Sequence, residues 1–343
     1  MIALAYSRVT VHTTNPFVIA RGSMSEYTRV HVTVSDADGA QGMGEAAPSA
    51  YYGETADTVV AALETLRRIV EAADPWALED LEAAMVRTLP GNAAARVAVS
   101  AAVHDLVGRR LGVPLYRLWG LTPAHAPPSS FTIGIAPTED ELVRRVVQAS
   151  AYPVLKVKLG TDRDDDIMRT VRGAAPHKVL RVDANGAWTP AHAVEMIERL
   201  ARYGVELVEQ PLPADDLDGL RFVRERSALP IIADESCVTS VDIPRLAGAV
   251  DGINIKLAKC GGLREAQRMI ATARAHGLRV MMGCMIETSL GITAAAHLAP
   301  LLDYADLDGA ALLADDPWVG AAIVGGRIDI PDAPGLGVRR RGR

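Results

Sequence analysis

Three cysteines in 343 residues, Cys237, Cys260 and Cys284, with no CxxC spacing among them, exclude a disulfide framework and a thiolate zinc site. They read as reduced, small and mostly buried. No run of about 18 or more apolar residues occurs, and the stretch from Met1 to His12 lacks the charged segment and apolar core of a signal peptide. A soluble cytoplasmic protein without a membrane partner is the expectation. Positive charge is not in surplus either: the net charge of −6 argues against nucleic acid as a partner. The one basic cluster, Arg339, Arg340, Arg341 and Arg343, sits at the C-terminus and reads as a solvated tail. Neither GxxxxGKS/T nor HExxH is present, and Gly335-Leu-Gly337 lies in a terminal loop where a dinucleotide fingerprint does not work. His104 and His297 fall in helical segments as structural residues.

What the chain does have is a rhythm. Eight polar residues, Thr132, Lys158, Asp183, Glu209, Asp234, Lys256, Cys284 and Asp308, each close a short apolar run, at intervals of 22 to 28 residues. That interval accommodates one strand, one helix and two short loops, the repeat of a (β/α)8 barrel. A content of 49% hydrophobic residues provides the core. The length exceeds a typical barrel by roughly one hundred residues, so a second domain is expected. The first third carries it: Thr28 to Val34 alternates, Asp38-Gly39 offers a hairpin turn, and Gln41 to Ala47 returns. Glu54 to Ala73 and Ala93 to Leu111 follow with helical spacing, and Gly112-Val-Pro114 stops the second helix. The expected fold is α/β: an α+β capping domain over residues 1–115, a (β/α)8-type barrel over 116–320, and a segment 321–343 packing back on the capping domain.

Strand ends facing the βα loops carry the chemistry of such barrels. In Val154-Leu-Lys156-Val-Lys158 both lysines share one face of a strand, which alone reads equally as an edge strand in water. Asp183, Glu209 and Asp234 then close three consecutive apolar runs. One such carboxylate is usually a helix cap; three at matching positions point to a shared oxygen-ligand metal site suited to Mg2+. A dication there grips a substrate carboxylate and stabilises the enediolate left when the neighbouring carbon loses its proton. Each pKa unit of mismatch in that transfer costs about 1.4 kcal/mol. Lys158 reads as a base, with Lys156 as a nearby charge favouring its neutral form. Lys256, after Ile253-Asn-Ile255, stands nearly across the barrel, so a proton leaves from one face and returns on the other.

Lys156-Val-Lys158, Asp183-Ala-Asn185, Glu209-Gln-Pro211, Asp234-Glu235-Ser236 and Lys256-Leu-Ala-Lys-Cys-Gly-Gly262 resemble the muconate lactonising subgroup of the enolase superfamily over essentially the whole chain. The resemblance implies Lys158 and Lys256 as the acid/base pair, Asp183, Glu209 and Asp234 as Mg2+ ligands, Lys156, Asn185 and Glu235 as supporting residues, and a homo-oligomer.

Asp306-Leu-Asp308 resembles the DxD motif of the subgroup's dipeptide epimerases, which holds the substrate's free α-ammonium; taken alone it also reads as a polar loop end. Segments around Arg21, Tyr52-Gly53-Glu54, Thr132 and Gly283-Cys284-Met285-Ile286-Glu287 are similar to the same branch. They extend the substrate-binding candidates to Asp306, Asp308, Thr132, Arg21, Tyr51, Met285 and Glu287. The nearest resemblance is to bacterial L-Ala-D/L-Glu epimerases, implying two-base inversion of the C-terminal α-carbon of a dipeptide and murein peptide recycling. One departure stands out. Relatives commonly have Pro-Arg before Tyr-Gly-Glu where this chain has Ala50-Tyr51, which weakens the case for Glu at the inverted position and leaves another L-Ala-L-Xaa dipeptide open. An o-succinylbenzoate synthase or N-succinylamino acid racemase uses the same metal site, and the acidic pair argues against both. A barrel that merely binds a small acid has no need of two opposed lysines.

Overall fold

The alternating segment before Asp38-Gly39 forms the middle of a three-stranded antiparallel sheet in the computed structural model, which describes residues 2–342. Its strands are β1 (Ile2–Ile19), β2 (Gly22–Asp36) and β3 (Gln41–Ala46). The β2–β3 turn is closed by Asp36, whose Oδ1 accepts from the amides of Asp38 and Ala40 at 3.0 Å. Sequence patterning missed β1. This 18-residue strand pairs with β2 from Ile2 opposite Asp36 to Ile19 opposite Gly22, with its register broken between His12 and Phe17. Exposed polar residues and Pro16 interrupt its alternation, so no clean period of two survives. The tip of this long hairpin, Ala20 and Arg21, is carried out to the mouth of the barrel.

Helices α1 (Ala56–Ala72), α2 (Leu78–Thr88) and α3 (Ala93–Leu111) cover the sheet. Reciprocal hydrogen bonds between Thr55 and Thr58 cap α1, while Gly112 in the left-handed region ends α3. Helix α3 is buried along every face from Ala94 to Gly108. Gly42 and Gly44 of β3 lie so close to it that a Cβ on either would collide with the carbonyl oxygens of Ala102 and Ala98. One side of α3 joins the core of the capping sheet through Ala98, Val99, Ala102 and Leu106; another, through Val97 and Ala101, joins the core of the barrel.

The barrel follows a one-turn helix α4 (Leu115–Leu118). Its eight parallel strands are β4 (Phe131–Ile133), β5 (Val154–Lys158), β6 (Val179–Asp183), β7 (Val205–Glu209), β8 (Ile231–Ala233), β9 (Gly252–Ile255), β10 (Arg279–Gly283) and β11 (Tyr304–Asp306), neighbours in chain order. The sheet closes where the Ser130 amide donates to Ala305 O at 3.0 Å beside a bridge between Ser129 and Ala305. Helices between the strands include the amphipathic α5 (Glu139–Gln148), α6 (Asp164–Ala174), α7 (Pro190–Arg202), α8 (Leu217–Arg226) and α11 (Leu263–Ala275), the one-turn α9 (Ile243–Leu246), and α10 (Leu257–Cys260) and α12 (Ser289–Ala296), which are buried throughout. Thr138, Thr189, Asp216 and Thr288 cap α5, α7, α8 and α12. Among the described residues no helix is long and apolar enough to cross a membrane.

The chain's end returns to α3: Leu115 N donates to Gly335 O at 3.0 Å, and Leu336 N to the buried carboxylate of Asp105 at 2.7 Å. The basic cluster is solvated, as expected, with its backbone tied down. Arg339 and Arg340 pair as a two-residue strand with Trp318–Val319, and the Arg340 guanidinium lies 4.9 Å from the centre of the Trp318 ring. Arg343 lies outside the described residues. His104 and His297 are buried, and burial pushes both imidazoles down to about 4. Each holds a backbone carbonyl, that of Ser100 at 2.8 Å and that of Leu336 at 3.1 Å.

Candidate active site

All five residues of β5 are buried, so its two lysines point into protein rather than water. Such charges persist only when paired. Lys158 Nζ donates to Asp183 Oδ2 at 2.6 Å. Lys156 Nζ lies 2.6 Å from Glu209 Oε2, 2.8 Å from Asp306 Oδ2 and 3.3 Å from Asp183 Oδ2. Half a barrel away, just past the end of β9, Lys256 Nζ donates to Asp234 Oδ2 at 2.7 Å. Burial opposes the charge on Lys156, yet Asp306, Glu209 and Asp183 hold its pKa well above the usual lysine value; Asp234 and Glu209 do the same for Lys256.

Asp183, Glu209 and Asp234 end or follow β6, β7 and β8, fully buried, with one oxygen of each within 4.8 Å of the others. Burial raises the pKa of each. Lys158 and Lys156 outweigh it at Asp183, and Lys256 and Lys259 outweigh it at Asp234, so both carboxyls lie below the usual range. At Glu209 burial wins, helped by the Asp183 charge, and the carboxyl is pushed up to about 8. Glu209 Oε2 also has no well-aligned hydrogen-bond donor, although Lys156 lies 2.6 Å away. Three buried carboxylates whose hard oxygens crowd together form a donor set that fits a small divalent cation such as Mg2+.

Residues around the triad fix its orientation. Asn254 Nδ2 donates to Glu209 Oε1 at 2.7 Å, and Gln210 Oε1 accepts from the amides of Asp234 at 2.8 Å and Ser236 at 3.2 Å. Lys259, fully buried, reaches the carboxylate and carbonyl of Asp234 and the carbonyls of Cys237 and Asn254. Sequence reasoning assigned no role to Asn254, Gln210 or Lys259. The signal was a polar side chain inside an apolar strand for Asn254 and a second lysine in Lys256-Leu-Ala-Lys259 for the last. Asn185, at φ 47°, donates its side-chain amide to Asp183 Oδ2 and Glu235 Oε1, each at 3.3 Å.

The substrate-binding candidates divide between two sides of this centre. Arg21, at the hairpin tip, pairs with Glu235 Oε1 at 2.7 Å, donates to Asn185 O at 2.9 Å and stacks 4.4 Å from the Tyr51 ring centre. A cavity of ≈ 500 Å3 opens there, lined by Ala20, Arg21, Tyr51, Ala187, Asp215 and Glu235 among others. Opposite, Asp306 holds Lys156 and accepts from Ser130 Oγ at 2.6 Å. Asp308, two residues beyond β11, accepts from the Thr132 amide at 2.6 Å. Burial and the Asp306 charge raise the Asp308 carboxyl to about 7. A smaller cavity of ≈ 140 Å3 lies on this side, lined by Thr14, Phe17, Phe131, Thr132 and Leu312 among others. Glu287 stands apart. It accepts from the Met285 amide at 2.9 Å, and burial with the Glu45 charge raises it to about 7.

The family model described as "Mandelate racemase / muconate lactonizing enzyme, N-terminal domain" matches residues 2–120, and "Enolase C-terminal domain-like" matches 139–341. An L-Ala-D/L-Glu epimerase of Bacteroides thetaiotaomicron is 40% identical over 94% of this chain and 84% of its own. A dipeptide epimerase from Enterococcus faecalis, solved with Mg and L-Leu-L-Tyr, superposes with a TM-score of 0.93 at 33% identity, covering 98% of this chain and 99% of that one. The substrate-liganded L-Ala-D/L-Glu epimerase from Bacillus subtilis gives 0.94 at 33% identity, with 98% of each chain covered. On these matches, with both domains accounted for, the chain belongs to the mandelate racemase/muconate lactonizing enzyme family of enolase-like proteins.

Proposed function

We propose that this protein is a Mg2+-dependent dipeptide epimerase, an isomerase that inverts the α-carbon of the C-terminal residue by moving one proton off and another on. The observation that carries the reading is the placement of Lys158 and Lys256. They belong to strands four apart in an eight-stranded barrel and are bound to opposite members of one acidic triad. An α-carbon held between them presents one face to each amine. One lysine, neutral, takes the proton; the other, as an ammonium, returns one from the opposite side, and configuration inverts. Asp183, Glu209 and Asp234 hold the metal, with Asn254, Asn185 and Lys259 orienting them. When bound, Mg2+ supplies positive charge that offsets the negative charge developing on the substrate carboxylate. Lys156 adds a fixed positive charge that never leaves the site.

The acidic pair gives the substrate its direction. Asp306 already holds Lys156, whereas Asp308 accepts from a backbone amide and pairs with no cation among the described residues. The substrate α-ammonium goes to that side, chiefly to Asp308. The smaller cavity then receives the first side chain and the larger one the second, so L-Ala-L-Xaa dipeptides are the expected substrates. Met285 and Glu287, on the loop after β10, line neither cavity, and no substrate contact is assigned to them. The division into a capping domain 1–115, a barrel 116–320 and a returning segment 321–343 is part of the same reading.

Following deuterium exchange at the α-carbon in heavy water across a dipeptide library tests this. Free L,L-dipeptides should exchange and epimerise. N-acetylated ones should fail, because acetylation leaves buried carboxylates facing a neutral amide. Turnover of an N-succinyl amino acid with none of any free dipeptide would overturn the reading. A role in murein peptide recycling stands or falls with turnover of L-Ala-L-Glu.

A further inference from the structure

The hairpin tip brings a guanidinium to the larger cavity, and the simplest use for it would be to bind an acidic substrate side chain. Its contacts argue otherwise. Arg21 Nη2 lies 2.7 Å from Glu235 Oε1, with the Glu235 side chain only 3% exposed, and Nη1 donates to Asn185 O at 2.9 Å. Its flat face is covered by Tyr51 at 4.4 Å. Glu235 Oε1 in turn accepts from Asn185 Nδ2, which also donates to Asp183 Oδ2. The guanidinium thus ties the capping hairpin, through two residues, to the acidic triad.

Breaking that tie to reach a substrate carboxylate would leave Glu235 buried without its cation, the expensive half of a broken ion pair. Among the described residues Arg21 is the only cation lining this cavity; Glu235 and exposed Asp215 are its acids. A carboxylate entering would therefore meet a net negative wall. The remaining surface carries no charge: Ala20, Tyr51, Ala187, Pro213 and Ala214 make it mostly apolar, and its polar side chains, Asn185 and Gln210, are neutral amides.

Resting on the dipeptide epimerase reading, we propose that Arg21 is a positioning residue that latches the capping hairpin onto the barrel through Glu235, and that the side chain at the inverted centre is neutral. Ala50-Tyr51 supports the assignment, since Tyr51 faces Arg21 instead of supplying a second cation.

L-Ala-L-Glu, L-Ala-L-Gln and L-Ala-L-Leu make the test, because Glu and Gln differ in charge and hardly in shape. The native enzyme should turn over Ala-Gln and Ala-Leu with kcat/KM at least equal to that of Ala-Glu. Arg21→Met and Glu235→Gln should each lower kcat/KM for all three by a similar factor, on the order of tenfold to a hundredfold. The double variant should fall no further than either single one, since both remove the same contact. Hydrogen exchange at residues 17–24 should rise in both single variants, a readout independent of turnover; Arg21→Lys should restore part of the protection. A preference for Ala-Glu over Ala-Gln that disappears in Arg21→Met would overturn the assignment, as would unchanged exchange at the hairpin tip. Failure of all three dipeptides to exchange would overturn the reading of the reaction itself.

Discussion

Inside the barrel, two positions on the same face of the same strand can be equally buried and chemically opposite. Leu207 and Glu209 on β7 are both fully buried, as are Ile232 in the middle of β8 and Asp234 just past its end; Tyr304 and Asp306 on β11 are nearly so. The lower members, with Met281, form a small apolar cluster. Arg181 lies 4.8 Å from the centre of the Tyr304 ring, its charge neutralised by Glu206 at 2.7 Å. The upper members are carboxylates held by Lys156, Lys256 and Lys259. Burial therefore does not separate scaffold from chemistry in this barrel. What separates them is whether removing a side chain leaves a void or an unpaired charge, and the two losses register in different measurements.

The sharpest contrast comes from the upper layer. Removing the divalent cation with a chelator should take epimerisation to background, and restoring Mg2+ should recover it; full activity in metal-free buffer would break the comparison. Lys158→Ala or Lys256→Ala should each lower epimerisation by about 10^2- to 10^4-fold, the range of a general acid or base. Each single variant should keep α-proton exchange for only one epimer, the one facing the surviving lysine. Identical exchange of both epimers in both variants would contradict one base per face.

A smaller effect is expected one contact further out. Asn254→Ala removes the donor to Glu209 Oε1 and should weaken Mg2+ affinity about 10- to 100-fold, as the loss of an orienting partner typically does. Asp234→Asn, which removes a charged ligand, should weaken it further. In the lower layer, Leu207→Ala should lower stability by about 2–5 kcal/mol in denaturant unfolding while kcat stays close to native. A stable Leu207→Ala enzyme with no turnover would show that the apolar layer shares in the chemistry.

The smallest expected effect is a pH dependence of KM. Burial and Asp306 raise the Asp308 carboxyl to about 7, so its negative charge is present above that pH and lost below it. KM for a free dipeptide should rise as pH falls from 8 to 6, and Asp308→Asn should flatten that limb.

The barrel could be read from the chain because each strand is an apolar run closed by one polar residue, and because three carboxylates at matching positions are hard to explain singly. Helix α3 was legible to the residue, from Ala93 to Leu111, since Gly112 and Pro114 mark its stop. Helix α2 and strand β1 went unread. The strand draws its pairing from β2, the other arm of the hairpin, and its own broken alternation does not show it. In the site, strand ends were visible and their partners were not. That Asp306 turns down to Lys156 while Asp308 keeps only the Thr132 amide depends on three strands meeting. The basic tail is exposed as expected, but its pairing with Trp318, some twenty residues earlier in the chain, was hidden for a similar reason.

Helix α3 belongs to two cores at once, pressed on the backbone of β3 by Gly42 and Gly44 and on the barrel by Val97 and Ala101. It is buried from Ala94 to Gly108, and Asp105 on the same helix also holds the returning chain end through Leu336. The border that family models place near residue 120 is thus a boundary of inheritance more than of unfolding. Melting the cap exposes one wall of the barrel, so both halves should lose structure in a single cooperative step, and neither should persist when expressed alone.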